Sequence, residues 1–180
     1  MTSMNQDERY PVGRFKYDGN SSRAAIDASI ARIAALPQQL RESIAGLNDV
    51  QMNTPYREGG WTPRQVVHHL ADSHMNAYVR CKLALTEDAP KIKPYDEALW
   101  ANLPDVSKVP VDVSLGLIDA LHERWVALLS AMPDADFERG YIHPEQNRTV
   151  PLREVAALYA WHGQHHTAHI TALRERNGWT

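Results

Sequence analysis

The segment that decides the fold is Leu152–Leu173, with the sequence LREVAALYAWHGQHHTAHITAL. Steps that alternate between three and four residues connect one set of positions in it, namely Leu152, Val155, Tyr159, His162, His166, His169 and Leu173. This spacing is typical of the inward seam of a helix in a bundle. The segment therefore predicts a long helix from near Pro151 to Asn177-Gly178, with three histidines on its inner face.

Two of the seam histidines, His162 and His166, are four residues apart, so both can direct a ring nitrogen at the same point. The other pair with this spacing, His165 and His169, straddles the seam because position 165 falls on its flank. Such histidines can be ordinary hydrogen-bonded core residues. However, a buried imidazole without a partner costs about 1–3 kcal/mol, and a bound metal ion removes that cost. The pair therefore indicates a metal site that needs a third ligand from another helix.

Four segments with helical periodicity predict an all-α fold, a four-helix bundle. The expected helices are Ser22–Ala45, Thr62–Leu85, Val113–Met132 and Pro151–Asn177. The second has the clearest start, with Thr62 as N-cap, Pro63 at the first helical position and Gln65 completing a capping box. Pro37 should kink or break the first helix. No run shows the alternating pattern of a strand.

The third metal ligand is expected on the second helix, but spacing leaves its identity open. The apolar stripe of that helix runs through Val67, Leu70, His74, Ala77, Cys81 and Leu85. On this pattern His74 points inward, His69 lies at the edge of the stripe and His68 lies nearly opposite. Periodicity alone therefore favours His74, without excluding His69.

The longest connection, Thr86–Asp112, contains four prolines and is too long for a simple antiparallel turn. A short helix is expected within it at Tyr95–Ala101. This long crossover connection forms either a wall of the site or a surface connector. Its apolar residues Leu99, Trp100 and Leu103 either cover the end of the bundle or contribute to an interface with a second copy.

Length and composition exclude several classes of protein. A chain of 180 residues predicts one domain, 1–180, large enough to bury a core. The net charge of −3 is spread along the chain, so no basic face is expected for nucleic acid or an anionic membrane. No stretch has the length of a membrane span, and the polar residues 1–9, expected to be flexible, lack a signal-peptide core. The single cysteine, Cys81, together with the lack of a membrane span and of a signal-peptide core, predicts a cytoplasmic protein.

Seven blocks spread over most of the chain carry a resemblance to a known family: Tyr10–Gly13, Thr54–Thr62, Val66–His74, Lys82–Glu87, Pro94–Glu97, Leu121–Trp125 and Tyr159–Ile170. Through them the chain resembles the DinB-like superfamily of four-helix bundles and, within it, the YfiT-type metal-dependent hydrolases. The resemblance implies that His69, His162 and His166 bind one divalent ion per chain. Cys81, where the family more often has an aromatic residue, affects packing and not the ligands.

The implied site has an open coordination position, because three protein ligands do not complete the shell of the ion. Zinc is expected by prevalence, and nickel also suits imidazole ligands. The ion lowers the pKa of bound water to about 7, which predicts a hydrolase of a small-molecule substrate. The first alternative is an S-transferase that joins a low-molecular-weight thiol of the bacillithiol type to an electrophile, an activity known in the superfamily. The second is a non-catalytic metal-binding stress-response module.

The sequence leaves the general acid or base unassigned. The candidates are side chains that could also support the ligands through hydrogen bonds, and they are His74, His122, His165, His169 and Asp72. Tyr159, one helical turn before His162, either reaches the substrate or belongs to the core. Family resemblance also implies a homodimer.

Overall fold

A computed structural model of the protein describes residues 7–20 and 22–180. Part of the segment expected to be flexible, residues 1–6, lies outside the described residues. The remainder, residues 7–9, forms a turn in which Arg9 donates hydrogen bonds to Asp7. The side chain of Glu8 lies 3.3 Å from Arg176 near the C-terminus, so this turn contacts the last helix of the chain.

The fold is all-α, as predicted, with four long helices that form a bundle. The helices in chain order are α1 (Arg23–Ile44), α2 (Asp49–Met52), α3 (Pro63–Thr86), α4 (Glu97–Trp100), α5 (Pro104–Lys108), α6 (Val111–Ala131) and α7 (Leu152–Asn177). Helix α1 packs against α6 and α7, and α3 packs against the same two helices. The consecutive long helices α1 and α3 therefore occupy opposite corners of the bundle.

Local sequence signals explain where the helices begin and end. The Thr62 hydroxyl accepts a hydrogen bond from the Gln65 backbone N–H, and the Gln65 side chain accepts one from the Thr62 N–H, which is the predicted capping box. Gly178 ends α7 in the left-handed conformation at φ 64°.

Pro37 lies inside α1 without interrupting it, so the predicted break does not occur. Packing of α1 against two neighbours compensates for the hydrogen bond that proline removes.

The absence of strands was a wrong prediction. After a 3-10 helix (Asp134–Glu138), strands β1 (Gly140–His143) and β2 (Arg148–Pro151) form an antiparallel hairpin. The long connection pairs with its outer edge, because Ile92 N–H donates to Ile142 C=O and Ile142 N–H donates to Pro90 C=O. Strands of four residues are too short to show a recognisable alternation.

The hydrophobic core consists of two clusters stacked along the bundle. One surrounds Trp125 and Phe137, and the other surrounds Leu40 and Leu70. Each long helix contributes to both clusters, so both span the full width of the bundle. Within the described part of the chain, no helix is long and apolar enough to cross a membrane.

Candidate metal centre

A layer of histidines separates the two hydrophobic clusters. On α3, the residues up to Ala71 belong to one cluster and those from Ala77 belong to the other. The other long helices divide in the same way. The histidines at this level are buried or half-buried, and they are His69, His74, His122, His162, His165, His166 and His169. Polar side chains therefore replace apolar packing in the middle of the core, where each polar atom needs a partner.

Three of these histidines, His69 of α3 with His162 and His166 of α7, bring one ring nitrogen each within 4.8 Å of one another. The Nε2 atoms of His69 and His162 are 3.3 Å apart. Two nitrogens at about 2.0–2.1 Å from a tetrahedral ion are separated by about 3.3–3.4 Å. The spacing of this pair is compatible with zinc. The structure brings together the three ligands that family resemblance implied, and their metal binding stays a prediction.

Burial keeps the three rings neutral. It lowers the pKa of His69 to about 4. Burial first, and then the neighbouring histidines, lower the pKa of His162 and of His166 well below the ordinary value. All three rings consequently have a free lone pair at pH 7, which is the form that binds a metal. His166 Nδ1 is also buried without a hydrogen-bond partner among residues 7–20 and 22–180, a cost of about 1–3 kcal/mol that coordination through this nitrogen would offset.

His74, which periodicity favoured as the third ligand, is fully buried as predicted but lies behind His162. Its Nε2 atom is 3.2 Å from Nδ1 of His162, whereas His69 faces the other ring nitrogen, Nε2. On its far side, His74 Nδ1 lies 2.9 Å from Nε2 of His122, whose Nδ1 donates to the carbonyl oxygen of Ile33 at 2.7 Å. His74 and His122 therefore support a ligand and do not face its metal-binding edge.

The remaining candidates for a general acid or base lie in different environments. His165 and His169 contact each other through Nε2 atoms 3.1 Å apart. His165 is only 8% exposed, and Trp161 stacks on its ring. It is the one candidate of the five that lines the cavity described below. Asp72 is half-buried, and burial raises the pKa of its carboxyl.

His68 was expected on the outer face of its helix, yet it is 6% exposed. Its Nδ1 atom lies 2.8 Å from Ser114 Oγ of α6. Helix α5, from the long connection, packs against α3 and covers this side. A helix that is covered on more than one face has a buried surface wider than its apolar stripe, which explains the difference.

The three histidines are close to a cavity of about 530 Å³, which His162 and His166 line directly. Trp61 lies on one side of the cavity and contacts the ring of His69 at a centroid distance of 4.6 Å. Tyr159 also lines it, with its hydroxyl 3.4 Å from the Ser73 carbonyl oxygen.

The outer wall of the cavity comes from the hairpin, which the sequence did not predict, and from the long connection, for which a wall of the site was one of two expected roles. The hairpin contributes Tyr141, His143 and Val150, and the long connection contributes Glu97. The long connection therefore forms part of the cavity wall, as one of its two expected roles required, but only through Glu97. The remaining lining side chains include charges of both signs, namely Arg57, Arg80 and Glu154.

Known proteins resemble this chain over most of its length. The sequence profile of the DinB superfamily matches residues 32–170. A protein of Bacillus mycoides (strain KBAB4) named "Putative metal-dependent hydrolase" is 56% identical over 174 residues, which is 97% of this chain and 99% of that protein. A Bacillus cereus (strain B4264) protein with the same descriptive name is 55% identical over 96% of this chain and 99% of its own length.

A solved structure is similar over nearly the whole chain. It is YfiT from Bacillus subtilis, described as "a probable metal-dependent hydrolase with an unusual four-helix bundle topology". The two share 46% sequence identity and superpose with a TM-score of 0.93, covering 96% of this chain and 99% of that one. The opposite corners occupied by α1 and α3 are thus part of a bundle already seen in a solved structure.

Proposed function

The chain belongs to the DinB superfamily, and from this premise we propose that it is a metal-dependent hydrolase. In this proposal His69, His162 and His166 hold one divalent ion, and a small-molecule substrate enters the adjoining cavity. The observation that carries the proposal is the group of three neutral imidazoles whose ligand atoms lie within 4.8 Å, next to a cavity. No cysteine or carboxylate joins this group among the described residues, so a coordination position is free for water or substrate.

The ion supplies one chemical function when bound: it lowers the pKa of a coordinated water to about 7, so that a nucleophile forms at neutral pH. The protein supplies orientation and a dry surrounding. Trp61 packs against His69 and lies parallel to the ring of His166, at an interplanar angle of 14°, and so shields both ligands from bulk water. His165 is buried, lies next to the ligand His166 in the sequence and lines the cavity itself. We assign to it proton transfer with the substrate.

The cavity favours a polar substrate of moderate size. A volume of about 530 Å³ falls in the range of small-molecule sites. Arg57 and Arg80 donate hydrogen bonds to backbone carbonyls, and their guanidinium groups lie over the rings of Tyr56 and Tyr95. Neither forms an ion pair among the described residues. Their charge remains available, so an anionic group on the substrate would bind on this side.

Zinc is the proposed ion because it is commonly bound by neutral imidazoles, and the Nε2 atoms of His69 and His162 are close enough, at 3.3 Å, to bind one ion. The only cysteine, Cys81, does not offer a fourth ligand, because burial raises its thiol pKa to about 12 and it lies in the Trp125 cluster. Nickel, which accepts more ligands, is the alternative. Elemental analysis of protein loaded with equal concentrations of both metals decides between them.

A matched pair of variants tests the ligand assignment. His69→Ala should abolish binding of one equivalent of zinc, since it removes a ligand atom, whereas His68→Ala removes the adjacent buried histidine outside the group and should retain it. His162→Ala should behave like His69→Ala. Full zinc stoichiometry in either ligand variant, measured by elemental analysis, would refute the proposed site.

A turnover assay tests the reaction class. Zinc-loaded protein should hydrolyse members of a panel of anionic esters and amides, and His69→Ala should not. The same protein is given a low-molecular-weight thiol with an electrophilic bimane. Conjugation of the thiol without any hydrolysis would replace the hydrolase by the S-transferase.

A further inference from the structure

We propose that His74 and His122 are positioning residues, which hold His162 in the single tautomer able to bind a metal through Nε2. This role has a purpose only if His162 binds a metal ion, so the inference rests on the proposed function. The observation that carries it is a continuous chain of contacts from the Ile33 backbone through two buried rings to a ligand. The sequence offered both histidines as a general acid or base or as a support for a ligand, without saying which ligand they contact or which tautomer they fix.

The chain consists of three contacts of hydrogen-bond length. His122 Nδ1 lies 2.7 Å from the Ile33 carbonyl oxygen, His122 Nε2 lies 2.9 Å from His74 Nδ1, and His74 Nε2 lies 3.2 Å from His162 Nδ1. The ring planes of His74 and His122 differ by only 17°, which suits a hydrogen bond in the plane of both rings. The remaining nitrogen of His162, Nε2, faces His69.

The direction of every bond follows from its first partner. A carbonyl oxygen accepts only, so the proton of His122 must be on Nδ1. Because a neutral imidazole has one N–H, His122 Nε2 is then an acceptor and His74 must donate from Nδ1. By the same reasoning His74 Nε2 accepts from Nδ1 of His162. The Nε2 atom of His162 consequently has a free lone pair, directed at the place where the ion would bind.

The surroundings prevent alternatives to this arrangement. His74 is 0% exposed and His122 2%, so water does not supply substitute hydrogen bonds at these rings. Trp125 contacts both rings edge-on, at 86° to His74 and 83° to His122, and Tyr159 packs at 87° against His74. Rotation of either imidazole would collide with these aromatic rings.

The chain cannot export a proton from the site, because it ends at a backbone carbonyl that has none to exchange. It therefore fixes a tautomer and does not act as a proton relay. Hydrogen bonds to the free nitrogen of a ligand histidine commonly change metal affinity by about 10–100-fold. Here the effect would pass through two residues, of which the second, His122, contacts no ligand.

Nitrogen NMR of the metal-free, wild-type protein tests the inference without any variant. Two-bond 15N–1H correlation spectra distinguish an imidazole protonated at Nδ1 from one protonated at Nε2. We expect Nδ1–H for His122, His74 and His162. Protonation of His162 at Nε2 would overturn the inference, whether or not the protein binds metal.

Variants of His122 test the effect on the ion. His122→Gln retains an acceptor for His74 and should bind zinc within about threefold of wild type, whereas His122→Phe removes it and should bind about 10–100-fold more weakly. His68→Phe, at a buried histidine outside the chain, is the control and should match wild type. Affinities come from competition with a chromophoric chelator. Wild-type affinity in a folded His122→Phe would overturn the inference.

The two proposals fail separately. A wild-type protein that binds neither zinc nor nickel but shows His162 protonated at Nδ1 supports the hydrogen-bond chain and refutes the proposed function. A protein that binds zinc through His69 and His162 with His162 protonated at Nε2 when metal-free does the reverse.

Discussion

Gly163 lies next to His162 on α7 and allows this helix to approach α1 closely. A Cβ atom at position 163 would lie 2.8 Å from Leu36 Cδ2 and 3.0 Å from Leu36 Cδ1. Non-bonded carbon atoms prefer about 3.5–4.0 Å. Leu36 is 2% exposed and belongs to the Leu40 and Leu70 cluster, so its side chain must shift within a packed core. Gly163→Ala should therefore separate α7 from α1 or force Leu36 out of its rotamer.

Two opposing free energies determine the size of the effect. Alanine is favoured over glycine inside a helix by about 1 kcal/mol, whereas overpacking a core costs about 1–3 kcal/mol. Gly116 in α6 is a control for the gain in helix propensity without the cost of overpacking. It is exposed, and a Cβ there meets no other described atom within 4 Å outside its own turn. Gly116→Ala should stabilise the fold by about 1 kcal/mol. Gly163→Ala should be about 1–3 kcal/mol less stable than that control.

Urea denaturation followed by circular dichroism measures the difference, provided that the m-values agree. The displacement should also weaken zinc binding, since His162 and His166 move with α7, while Gly116→Ala should leave zinc binding unchanged. If Gly163→Ala stabilises the protein as much as Gly116→Ala does, then the close approach of α7 to α1 does not determine the positions of His162 and His166.

Three further experiments address the histidine layer and the assembly. Burial lowers the pKa of His69 to about 4, so between about pH 6.5 and pH 4 only the unfolded chain binds a proton at this residue. The metal-free protein should therefore lose about 3 kcal/mol of stability through His69 alone as the pH falls over this range. An unchanged urea midpoint between these pH values would contradict this. Chelation of the ion should leave the helical circular dichroism intact, because two apolar clusters form the core without it, and cooperative loss of helix would favour a structural role for the metal. A homodimer, implied by family resemblance, should have twice the 20.3 kDa chain mass in light scattering at micromolar concentration; a monomer mass would reject it.

The sequence by itself determined the features that depend on residues within one or two helical turns. The capping box at Thr62 and the left-handed Gly178 are local hydrogen-bond and backbone effects, so both helix ends were predictable. The side-by-side placement of His162 and His166 follows from the helical repeat alone. Family resemblance added His69, which the periodicity of α3 had placed only at the edge of its apolar stripe.

Only the tertiary structure decided what surrounds those local features. Periodicity correctly predicted that His74 is buried, but whether His69 or His74 faces the open edge of His162 depends on how α3 packs against α7. The burial of His68 depends on α5, and the strand of Tyr141 forms only with its partner β2 and the edge of the long connection. These contacts join residues far apart in the chain, and the free energy that selects them comes from burial and pairing across helices, which no local pattern contains.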